Sequence, residues 1–215
     1  MSPLPSAPVR RWVQLVLGLL GWGAAAALMI RSGLGVGPWD AFHQGLHLRL
    51  GIGIGTASMS VGLVVLLLSL PFRIRPGPGT VANMVVVGGS IDVLLRVLPP
   101  AAGWGWGLAY HLAGIALAGW MTGAYIGAGL GSGPRDGLVL EMARRSGRPV
   151  RLVRTGFELS ALGAGWALGG TLGVGTLLFA GLIGPSMQWG LRAWGVLPTA
   201  APVPAAVPVP AARAA

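Results

Sequence analysis

Long apolar runs alternate along the chain with short segments that hold most of its charge. Six runs, at about 12 to 31, 52 to 72, 80 to 98, 108 to 127, 153 to 170 and 176 to 196, meet or approach the roughly 20 residues an α-helix needs to cross hydrocarbon. The fifth is the weakest, because Arg154 and Glu158 lie in its first turns. The first, with Arg10 and Arg11 before it and an alanine-rich end, also has the form of a cleaved signal peptide.

An internal duplication decides against that alternative. Gly35-Val36-Gly37-Pro38-Trp39-Asp40 recurs as Gly131-Ser132-Gly133-Pro134-Arg135-Asp136, so position 40 maps to position 136 at an offset of 96. Without a gap, the same offset pairs Gly18 with Gly114, Gly23 with Gly119, Arg49 with Arg145, Gly88 with Gly184, Ser90 with Ser186 and Arg96 with Arg192. It also carries Gly77, Gly79 and Thr80 onto Gly173, Gly175 and Thr176. Residues 12–31 thus correspond to 108–127, an internal segment that cannot be removed without destroying the second half.

Composition agrees with a membrane protein: 53% of the 215 residues are hydrophobic, 9% are charged, and the mean hydropathy is +0.73. The 38 glycines suit membrane helices, whose backbones approach through small residues. The chain has no cysteine, which excludes disulfides, thiolate metal sites and cysteine nucleophiles. A net charge of +10 raises nucleic acid as a partner, but all fifteen basic residues are arginines and most lie between apolar runs. That is the distribution of cytoplasmic loops facing anionic lipid. With the N-terminus inside, twelve arginines fall on the cytoplasmic side and only Arg31, Arg49 and Arg96 outside. Three spans per copy then force the second copy into the membrane upside down.

The expected fold is therefore all-α: a polytopic protein of the bacterial inner membrane, with six transmembrane helices in two three-helix inverted repeats. A cytoplasmic N-terminus (1–11) precedes the first repeat (12–98) and the second (108–197), and a Pro/Ala-rich tail (198–215) suits an extended, disordered segment. Both termini are expected to be cytoplasmic. Trp12, Trp104, Trp106 and Trp194 fall near span ends and read as interfacial anchors.

Candidate chemistry centres on the paired motif. Gly37-Pro38 can end one helix and start another, with Asp40 complementing the new helix's dipole, so a well-capped helix start is one reading. The other is that residues 38–50 and 134–147 are short motif helices after a broken backbone, exposing amides and the Asp40 and Asp136 carboxylates in a cavity. Irregular backbone at membrane depth is tolerated only where it lines a cavity or is buried in protein. Two acidic residues disfavour an anion there and fit a cation, a proton or an ammonium group. Trp39 and Arg135 occupy equivalent positions, reading either as an anchor and a positive-inside residue or as different gates on the two sides.

Arg154 and Glu158 are four apart, as are Asp92 and Arg96, so each pair can meet on one helix face. Charges inside a membrane are costly, which makes Asp92, Arg154 and Glu158 pathway candidates as well as self-neutralising pairs. His43 and His47 lack a third ligand for a metal, and His111 reads as a satisfied interior residue. No nucleophile elbow or P-loop is present, and neither enzyme activity nor a cofactor is expected.

The run Gly35-x-Gly37-Pro38-Trp39-Asp40 to Gly45-Leu46, followed by Gly129-x-Gly131-x-Gly133-Pro134-Arg135-Asp136-Gly137-Leu138, resembles the bacterial YczE/YyaS/YitT membrane family. Arg154-Thr-Gly-Phe-Glu158 and Gly184-Pro185-Ser-Met-Gln188 are similar to the second half of YczE-type members. The resemblance implies a multi-pass inner-membrane protein, some of whose relatives are linked to secondary-metabolite production, and transfers the motif positions only as a signature. The preferred expectation is a small transporter of a polar or cationic solute, in contact with membrane lipids. Its alternatives are an accessory protein with a protein partner or a homo-oligomer, and a membrane substrate-binding subunit.

Overall fold

The computed structural model describes residues 8–72, 77–131 and 133–197, without the side chains of Pro134 and Asp136. The start of the N-terminal segment, Ser132 and the 198–215 tail lie outside the described residues. Those described form eight α-helices: α1 (Pro8–Arg31), α2 (Pro38–Leu50), α3 (Ile54–Ser69), α4 (Pro78–Val97), α5 (Trp104–Gly127), α6 (Pro134–Ser146), α7 (Val150–Ala167) and α8 (Val174–Ala193). A 3-10 turn, Leu70–Phe72, extends α3.

The duplication seen in the glycines governs the helices. α5, α6 and α8 begin and end 96 residues after α1, α2 and α4, and α7 begins 96 after α3. The six long helices coincide with the six apolar runs, and α2 and α6 are the short motif helices. α1, α3 with its 3-10 extension, and α4 are long and apolar enough to cross a membrane. α5, α7 and α8 have comparable lengths of 24, 18 and 20 residues. α5 holds His111, α7 holds Arg151, Arg154 and Glu158, and α8 holds Pro185, Gln188 and Arg192.

Packing follows the same symmetry. α1 and α5 form the central pair, with α4 flanking α1 and α8 flanking α5. Close approach of α1 and α5 depends on glycine at equivalent places: a Cβ on Gly18 would lie 2.8 Å from Tyr125 N, and one on Gly114 would lie 2.6 Å from Met29 Cγ. Around this seam Leu15, Leu19, Ala26, Val87, Ile91 and Tyr125 form a core cluster. The remaining helices join crosswise, α2 to α7 and α3 to α6.

The two copies are also stitched at the loops that precede the motif helices. Gly175 N–H donates to Leu34 O at 2.7 Å, and the equivalent Gly79 N–H donates to Leu130 O at 2.9 Å. Each motif loop therefore docks on the start of the other copy's last helix. The turn needs glycine at position 35, where φ is +97° and a Cβ would overlap Gly173 N; the equivalent Gly131 has φ +124°.

Candidate functional site

A cavity of about 600 Å³ lies between the two copies, and all eight α-helices contribute to its wall. Much of that wall is the same position used twice: Gly37 and Gly133, Trp39 and Arg135, Ser58 and Arg154, Gly62 and Glu158, Asn83 and Phe179, Met84 and Ala180, Val87 and Ile183. The cavity is thus lined by equivalent positions of the two copies. Its two halves differ in chemistry, because the first copy supplies Trp39, Ser58 and Asn83 where the second supplies Arg135, Arg154 and Phe179.

Asp40 reaches this cavity from the first turn of α2. Pro38 stands at the helix start, where its missing N–H is harmless, and Gly37 as N-cap offers no side-chain cap. The Asp40 residue is only 6% exposed, and among the described residues no hydrogen-bond donor reaches its carboxylate. Its partner one turn on is His43, whose Nδ1 is 3.7 Å from Asp40 Oδ1, too long for a hydrogen bond. His43 is 1% exposed, and neither of its ring nitrogens has a hydrogen-bond partner. α2 is held in place from behind by Gln44, whose Oε1 accepts from Thr171 N–H at 3.0 Å and from Thr171 Oγ1 at 2.6 Å.

Trp39 and Arg135, equivalent positions in the duplication, meet face to face, with the guanidinium carbon 4.4 Å from the indole centroid. This contact joins the starts of α2 and α6. Arg154 and Glu158 also line the cavity and pair at 3.0 Å, each half-exposed. Asp136 begins α6 at the position equivalent to Asp40, but its side chain lies outside the described residues.

Asp92 has a different task and does not line the cavity. Its Oδ1 accepts from Gly55 N–H at 2.7 Å, and its Oδ2 accepts from Thr56 N–H at 2.8 Å and Thr56 Oγ1 at 2.7 Å. It therefore caps the amides at the start of α3, from α4, instead of pairing with Arg96. His111, read from the sequence as a satisfied interior residue, bridges Ser32 Oγ at 3.2 Å and Gly175 O at 2.8 Å, tying the end of α1 to the start of α8.

Other charged and aromatic groups lie apart from the cavity. Glu141, on the solvated end of α6, receives hydrogen bonds from Arg144 and Arg145, which hold its carboxyl down to about 2. Arg145 also lies 4.5 Å over the Phe72 ring. Trp12, Trp104, Trp106 and Trp194 are all exposed, as anchors would be, and Trp194 also meets Trp120 edge-on with ring centroids 6.1 Å apart. Among the described residues no cluster of His, Asp and Glu could hold a metal ion. Sequence reasoning did not place Asn83, Phe179 or Met187 at the site; each is the partner, at the 96-residue offset, of another core or cavity position, which was the available signal.

The chain is 36% identical over 185 residues to the "Uncharacterized membrane protein YczE" of Bacillus subtilis, covering 85% of this chain and 86% of that protein. It is 35% identical over 182 residues to an "Uncharacterized protein" of Haemophilus influenzae, covering 85% of this chain and 83% of the relative. No solved structure matches it. Residues 9–192 match the family described as "Family of unknown function (DUF6198)", and with that match and the YczE relative the chain belongs to this YczE-like family of membrane proteins.

Proposed function

We propose that the protein is a small secondary transporter of the bacterial cytoplasmic membrane, with six spans in two inverted repeats and both termini cytoplasmic. Its solute is polar or cationic and crosses through the central cavity, without covalent chemistry. One observation carries the reading: the cavity is built from equivalent positions of both copies, and on its wall lies Asp40, a buried carboxylate that no hydrogen-bond donor reaches among the described residues. Substrate sites of inverted-repeat transporters lie at such interfaces, beside discontinuous helices. A buried carboxylate is costly unless something neutralises it, and a cationic solute does so. The placement of twelve of fifteen arginines on one side supports the orientation.

The test is charge movement by the protein reconstituted in liposomes on a supported membrane, using concentration jumps of methylammonium, choline and guanidinium. Wild type should give a current with at least one of them. Asp40→Asn should lose it while keeping the wild-type elution profile and melting temperature. A current that survives Asp40→Asn, or silence of wild type toward the whole panel, would overturn the assignment.

A further inference from the structure

The two copies close their outer helix pairs differently. In the first, α3 packs against α4: a Cβ on Gly55 would overlap Gly88 O, one on Gly88 would lie 2.6 Å from Gly55 O, and Asp92 caps α3 across the contact. In the second copy the glycine of the last helix is kept, as Gly184, and the other parts of that seal are replaced. Arg151 stands for Gly55, Leu152 for Thr56 and Gln188 for Asp92. An arginine cannot occupy a contact that leaves no room for a methyl group, and the Gln188 amide offers one acceptor oxygen and no charge where Asp92 offers two oxygens and a negative charge. Accordingly α7 packs on α2 and α6, and α8 on α5, without a seal between them. Gly184, the equivalent of Gly88, has no atom within 4 Å of where a Cβ would stand.

The flanks of this gap are also walls of the cavity: Phe157 on α7, and Phe179, Ile183 and Met187 on α8. The same cavity wall carries the internally neutral Arg154–Glu158 pair and reaches Asp40 and the Trp39 ring. We propose that the cavity opens sideways between α7 and α8 into the bilayer, and that its ligand is an amphiphile, an alkyl chain carrying an ammonium head that reaches Asp40. The inference rests on the transporter reading and narrows its solute. The chain concentrates the head beside the gap by partitioning into the bilayer. Asp40 supplies the opposite charge, and the Trp39 ring lines the same wall beside it.

The experiment uses the full chain in lipid nanodiscs with one cysteine, Ser58→Cys, on the cavity wall, and follows its alkylation by N-ethylmaleimide. Dodecyltrimethylammonium and tetramethylammonium are the probes. Ser146→Cys, at the exposed end of α6, controls for general effects on thiol reactivity. Dodecyltrimethylammonium should protect the cavity cysteine at a total concentration at least tenfold below that needed for tetramethylammonium. Adding Gly184→Trp, which fills open space, should remove that advantage and leave tetramethylammonium protection unchanged. Equal protection by the two probes, or an advantage that survives Gly184→Trp, would overturn the lateral route while leaving the cation site standing. Protection by neither probe would overturn the cation site as well.

Discussion

Two aspartates show how burial divides roles that sequence treats alike. Asp92 satisfies two backbone amides and a hydroxyl at the start of α3, so its loss leaves a helix end uncapped. Asp92→Ala should lower stability by about 1 to 2 kcal/mol, read as a lower melting temperature in detergent. Asp40 holds no such contacts among the described residues, so Asp40→Asn should leave the melting temperature at or above the wild-type value; a clear drop would mean that it serves α2 as a cap. The sequence named both residues but paired Asp92 with Arg96, because spacing rules see only the residue's own helix. Its partners lie 36 and 37 residues away. The Arg154–Glu158 pair, local to one helix, was legible for the same reason. The Trp39–Arg135 stack was half legible: equivalence at the 96-residue offset was visible, but contact between equivalent residues requires both to stand near the repeat axis.

Among the helices, one duplicated glycine should give opposite results in its two settings. Gly88→Leu forces a side chain into Met59 Cγ and Gly55 O, at 2.5 and 2.6 Å from the Cβ position, where overpacking costs about 1 to 3 kcal/mol or more. Gly184→Leu enters open space and replaces a poor helix former with a good one, a change worth about 0.5 to 1 kcal/mol in favour of the fold. Thermal melts of the two variants side by side should show one fall and the other hold or rise; equal losses would mean that α7 and α8 are sealed as α3 and α4 are. Helix number and boundaries were readable because apolar runs and Gly-Pro starts are local signals, repeated twice. The open α7–α8 side was written in the substitutions of Gly55 by Arg151 and Asp92 by Gln188, but their meaning depends on knowing that the first pair touch.

For the molecule as a whole, the orientation of the second copy controls every functional statement, since an upright second copy would place Asp40 and Asp136 on the same side. Composition alone settles little here, because charged residues lie on helices of both copies, among them Arg31 on α1, Asp92 on α4, Arg154 on α7 and Arg192 on α8. A direct test uses the cysteine-free background. Ala41, in the first motif helix, is fully buried and would report nothing, whereas Leu50 and Ser146 are equivalent, exposed and at the ends of α2 and α6. In intact cells an impermeant maleimide should label Leu50→Cys, and it should reach Ser146→Cys only after permeabilisation. Labelling of both from one side would place the copies in parallel, remove the pseudo-two-fold axis from the membrane plane, and leave the cavity facing a single compartment. The expected opposite labelling keeps the cavity between the two compartments, where the Trp39–Arg135 contact joins the half that meets one to the half that meets the other.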